Sequence, residues 1–121
     1  TPPATAQRTE GRSDAQLYFD AERRLQRAED EATCAWYPTI LHRIINLRTD
    51  LRRLERFADR NGALRRLQRA APGADQEAIC FGVTPREITP WLQSARRDTA
   101  LLQQRLRRAG RQDPNMRQPG E

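Results

Sequence analysis

Between Pro38 and Arg60 runs the longest amphipathic helical pattern of the chain, PTILHRIINLRTDLRRLERFADR. Ile40, Leu41, Ile44, Leu47, Leu51, Leu54 and Ala58 recur at three- and four-residue steps, the spacing that gathers side chains on one helical face. Arg48, Arg52, Arg56 and Arg60 recur every four residues on another face. An apolar stripe that wide needs apolar neighbours, so the flanking segments are expected to pack on it. The pattern predicts one helix over 38–60 and makes it the element expected to be most buried.

The flanks supply the neighbours. Ser13 offers a cap oxygen and Asp14 a favourable charge at a helix start. Leu17, Ala21, Leu25, Ala28 and Ala32 then follow at helical spacing, so a first helix is expected from about Asp14 to Ala35. Its stripe is narrow and rich in alanine. The residue before a proline avoids helical backbone, so Tyr37 should end this helix and Pro38 should open the next. A single long kinked helix is the alternative. Asn61-Gly62 reads as the stop of the central helix, because both residues tolerate positive φ. Ala63 to Ala71 resumes a helical pattern, Pro72-Gly73 ends it, and 75–81 is expected to hold one or two helical turns. Thr84-Pro85-Arg86-Glu87 is a helix-start signal, and Thr89-Pro90 repeats it. These two predict a short turn at 85–88 and a third main helix from Pro90. Trp91, Leu92, Ala95, Thr99, Leu102, Leu106 and Ala109 form its expected buried stripe, and Gly110 its stop. The fold class is therefore all-α: three main helices with short extra helical turns over 13–110, between irregular tails at 1–12 and 111–121.

With 36% hydrophobic and 6% aromatic residues in 121, one domain with a thin core is expected. Such a core calls for a staple, and the chain has two cysteines, Cys34 and Cys80, each at a junction between helices. Their spacing excludes a CxxC redox or zinc motif. In an exported protein a lone pair of cysteines usually bonds, so a Cys34–Cys80 disulfide is expected. The chain begins TPPATA without a methionine, which suits the segment after a removed signal peptide. No apolar run reaches the ~18 residues of a membrane span.

All 22 basic residues are arginine, which suits a high-GC genome, and the net charge of +6 is uneven. Residues 38–71 hold nine arginines against three acids; residues 1–37 hold five against seven. Clustered arginine can neutralise phosphates. Against nucleic acid stand the interleaved Asp50, Glu55 and Asp59, the lack of a recognisable binding motif and the few aromatics. Arginine is also enriched at protein interfaces.

Nothing points to catalysis, a metal or a cofactor. His42 is the sole histidine and reads as a surface residue. The adjacent acids Glu29, Asp30 and Glu31 face different ways on a helix and read as solvated. No glycine-rich phosphate loop or nucleophile motif occurs. Trp36, Tyr37, Phe57, Phe81 and Trp91 are the large anchors, expected to plug the bundle end around the disulfide unless a tryptophan projects into a partner. The partner-binding candidates are Arg48, Arg52, Arg56, Arg60, Trp36 and Trp91. The expected function is a non-catalytic accessory or assembly subunit of a larger exported complex, with the bacterial periplasm as its expected setting, for example the small subunit of a membrane-associated periplasmic dehydrogenase. The alternatives are a secretion-system pilotin-like or scaffold protein and an arginine-rich nucleic-acid-binding protein. The polar, proline-containing tails are expected to lie against the partner.

Overall fold

A computed structural model describes residues 11–71 and 80–110. Five α-helices occur there: α1 (Asp14–Ala35), α2 (Pro38–Arg52), α3 (Glu55–Ala58), α4 (Ala63–Ala70) and α5 (Pro85–Arg108). A 3-10 turn at Arg60–Gly62 joins α3 to α4. The fold is all-α, stapled by a Cys34–Cys80 disulfide.

The organising helix is α1 and not the 38–60 segment. Ala15, Leu17, Tyr18, Ala21, Leu25, Ala28 and Ala32 are all buried, and α1 packs on α2, α4 and α5. On α2 only Ile40, Ile44 and Leu51 are buried; Leu41 and Leu47 are half-covered, and Ile45 points outward. The width of an apolar stripe measures hydrophobicity, whereas burial depends on how many elements surround the helix. The alanines of α1 let neighbouring helices come close on several sides at once. Its main partner is α5, antiparallel to it, since contacts pair Asp14 with Arg105, Arg24 with Asp98 and Arg27 with Trp91. From α5, Ile88, Leu92, Ala95, Thr99, Leu102 and Leu106 complete the core. Trp91 is only half-buried and Ala109 is exposed.

Two other boundaries differ from the sequence expectation. The central segment breaks at 53–54, where Leu54 N–H donates to the Leu51 carbonyl at 2.9 Å, a three-residue step. No proline or glycine causes this. Leu51, Leu54, Ala58 and Leu64 are all buried, and the tighter turn carries them around the end of the bundle. At the other helix, α5 runs unbroken through Pro90. Proline in the sixth position removes only the bond to the Arg86 carbonyl, and both residues are exposed to solvent. Buried Ile88 and Leu92 on either side hold the turn helical.

The remaining signals lie where expected. Ser13 Oγ accepts from Gln16 N–H at 3.0 Å. Asn61 and Gly62 take positive φ, and Asp59 Oδ1 accepts from Leu64 N–H at 2.9 Å to cap α4. Thr84 Oγ1 accepts from Glu87 N–H at 3.3 Å. Cys80 and Phe81 are not helical, and the rest of the turn expected over 75–81 lies outside the described residues. The tails lie outside them too, except for Gly11 and Arg12.

Candidate interaction surface

The end of the bundle that carries the disulfide is built by the last turn of α1 and the segment leading into α5. The helix α1 closes in a Schellman motif: Tyr37 N–H donates to the Ala32 carbonyl at 2.8 Å, and Trp36 N–H to the Thr33 carbonyl at 3.3 Å. That motif places Trp36 in the left-handed region, φ 61 and ψ 70. Glycine is the usual residue there, because a Cβ clashes with the following carbonyl. The indole is 70% exposed, so packing of its ring does not explain its presence.

Opposite it, the disulfide brings the Cα atoms of Cys34 and Cys80 to 5.9 Å. Phe81 N–H donates to both carboxylate oxygens of Glu31 at 3.3 Å. Glu31 is 4% exposed, so the reading of the three adjacent acids as a solvated face is corrected for this residue. Its carboxylate instead fixes the backbone beside the disulfide. Glu29 pairs with Arg48 across α1 and α2. Val83 is buried, while the Phe81 ring is 71% exposed. Trp36 and Phe81 are thus not a plug inside the bundle end. They flank the disulfide and face outward.

The stretches of sequence that carry the two aromatics are uncharged. The longest run without Asp, Glu or Arg in a chain that is 31% charged is 32–42, and 78–85 is another such run of eight. The disulfide joins these two runs. That coincidence was readable in the sequence, and it would have singled out Phe81, which was not among the partner-binding candidates. Exposed large aromatics on charge-free stretches have the composition of an interface core.

The other candidates are dispersed. Trp91 lies on the α1–α5 seam, with the Arg27 guanidinium 4.3 Å from its ring centroid. Arg48 is half-buried against Glu29. The break at 53–54 splits the remaining stripe. Arg52 and Arg56 join Arg53, Glu55, Asp59 and Arg65 in lining an open groove, and Arg60 lies beyond it in the 3-10 turn. His42 is exposed.

A buried ion cluster was not foreseen. Asp98, with 7% of its side chain exposed, accepts from Arg12 at 2.7 and 3.1 Å and from Arg24 at 2.7 Å; Arg12 also reaches Asp20 at 2.9 Å. The bond to Asp98 holds the Arg12 guanidinium above its ordinary pKa, against the lowering effect of burial. Arg105 donates to the Arg12 carbonyl. Arg12, read as part of the tail, therefore belongs to the folded body. The available signal was Asp98, an acid on the stripe that carries Ala95, Thr99 and Leu102. The cluster joins three parts of the chain and offers no open coordination position or nucleophile.

Among the described residues, no group of three or more His, Cys, Asp or Glu side chains is arranged to hold a metal ion. No helix among them is long and apolar enough to cross a membrane. No protein-family model, curated protein or solved structure matches the chain.

Proposed function

We propose that the protein is a non-catalytic interaction subunit that docks on a larger protein through the disulfide end of its bundle. The observation that carries this reading is the outward-facing pair Trp36 and Phe81, 70% and 71% exposed, on the disulfide that joins two uncharged stretches. Exposing two large aromatics to water forgoes burial worth roughly 1.5–3 kcal/mol each, which a partner would recover. Trp36 also holds a left-handed backbone position that glycine would occupy without strain. The disulfide supports an oxidising compartment outside the cytoplasm as the place of assembly.

The test is capture of the partner from the organism that makes the protein. Trp36→Ala and Phe81→Ala should each lower partner recovery by roughly tenfold or more, as hot-spot truncations do. Arg97→Ala, on the exposed face of α5, should leave recovery unchanged. Full recovery by the folded Trp36→Ala/Phe81→Ala double variant would refute the proposal.

A further inference from the structure

The charge that the chain carries in excess is concentrated in one region. The surplus of nine arginines over three acids in residues 38–71 equals the net +6 of the whole chain. Of these nine, Arg48 alone is half-buried, and the other eight are exposed. The break at 53–54 and the turn at 59–62 fold the chain back on itself. The result is a concave corner between the end of α2 and the start of α4, lined by Arg52, Arg53, Arg56 and Arg65 with Glu55 and Asp59.

The two acids of the corner differ. Asp59 is committed to the fold: Oδ1 takes the Leu64 and Arg65 N–H groups, and Oδ2 lies 3.3 Å from Arg65 Nε. Arg65 is held there by one edge, with 75% of its side chain exposed. Glu55 is exposed beside Arg56. Arg53 lies 3.9 Å from Asp50, with more than half of each side chain in solvent, a contact too long and too wet to occupy the guanidinium. Planar guanidinium forks of this kind match carboxylates in a two-bond geometry.

We infer that this corner binds an extended acidic segment of a protein, its carboxylates paired by Arg52, Arg53 and Arg65. Charge spacing favours a polypeptide over nucleic acid. A duplex presents a phosphate charge about every 1.7 Å of its axis, so it cannot avoid Glu55 and Asp59. An extended peptide with acids at alternate positions spaces its carboxylates by about 7 Å on one side and can straddle them. Single strands bind on exposed aromatic platforms, and the exposed large hydrophobics Trp36, Ile45 and Phe81 do not line the corner. Phe57 is half-buried, with the Arg56 guanidinium 4.7 Å from its ring centroid. The corner stands apart from the aromatic patch. The 15 residues of α2 lie between them, a rise of about 22 Å. The inference is therefore independent of the docking reading.

The test is fluorescence anisotropy of the full chain with a labelled peptide of alternating glutamate and serine. Duplex DNA and phosphatidylglycerol vesicles serve as competing anions. The peptide should bind at about 0.02 M salt and weaken roughly tenfold or more by about 0.2 M. Arg52→Glu/Arg65→Glu should abolish binding, and Arg52→Gln/Arg65→Gln, which keeps side-chain length without reversing charge, should weaken it roughly tenfold. Arg96→Glu/Arg97→Glu changes the net charge by the same amount as the first pair and should bind within about twofold of wild type. Trp36→Ala/Phe81→Ala should bind the peptide normally. No binding at low salt would overturn the inference. Equal losses in the two glutamate pairs would also overturn it, by reducing the effect to overall charge. So would tighter binding of the DNA or the vesicles than of the peptide.

Discussion

Replacing Trp36 separates what the residue does for the fold from what it does for a partner. Two variants are needed, Trp36→Ala and Trp36→Gly. With 70% of the residue exposed, about a third is covered, roughly 75 Å² of a large aromatic. At ~25 cal/mol per Å², removing the indole costs about 2 kcal/mol in either variant. The variants differ in the backbone. Alanine keeps the Cβ that makes φ 61 unfavourable, whereas glycine removes it. Set against the larger chain entropy that glycine loses on folding, a net advantage of about 1 kcal/mol remains for glycine. In a chain of 121 residues that corresponds to a melting temperature about 3–6 °C higher than for alanine. Thermal unfolding followed by circular dichroism measures the difference, and partner capture measures the other half of the argument. Both variants should lose the partner equally although they differ in stability. A glycine variant no more stable than the alanine variant would refute the reading of Trp36 as a strained cap. Retained partner binding in both would refute its retention for recognition.

Three further outcomes follow from the core and its cross-links. Asp98→Asn should cost about 1–3 kcal/mol in urea unfolding, because Arg12 and Arg24 lose the negative charge and one of the two acceptor oxygens that face them in a part-buried setting; an unchanged midpoint would mean that the cluster does not hold the Arg12 segment down. Tyr18 is buried, and that burial, reinforced by the nearby Glu55 and Glu22, raises its pKa above the ordinary tyrosine value. The unfolded chain then releases this proton from about pH 10 while the folded chain retains it, so stability is full below that pH and falls above it by about 1.4 kcal/mol per unit. Tyr18→Phe should remove that part of the alkaline slope in urea titrations, and an identical slope would contradict the assignment. Reduction, or Cys34→Ser/Cys80→Ser, should lower stability by about 4 kcal/mol for a crosslink spanning 46 residues; a shift below about 1 kcal/mol would mean that loop closure is not what the bond contributes.

Local chemistry made the helix ends legible. Ser13, the Tyr37-Pro38 step, Asn61-Gly62 and Thr84 each act within a few residues, so their effects could be read without the fold. The disulfide was legible for a different reason: two cysteines at two junctions have few other uses. What could not be read depended on neighbours. The narrow alanine stripe of α1 is central because four helices pack against it, and no hydrophobicity count along one helix records that. The break at 53–54 has no local cause, and the continuity of α5 through Pro90 overrides one. Each is decided by buried leucine and isoleucine side chains on both sides. Arg12, Glu31 and Asp98 look like solvated charges until partners distant in sequence arrive. Of the candidate surface, Trp36 was recognisable as an anchor, but its outward direction follows from the left-handed turn that the Schellman motif imposes.

Docking through the disulfide end of the bundle can be tested by site-specific photocrosslinking. A benzophenone amino acid placed at position 36, at 81, or at the exposed control position 97 is irradiated in the native organism, and the adducts are identified by mass. If that end is the docking face, positions 36 and 81 crosslink to one and the same protein while position 97 does not. Adducts at 97 that match those at 36 and 81, or none at either aromatic position, would contradict it.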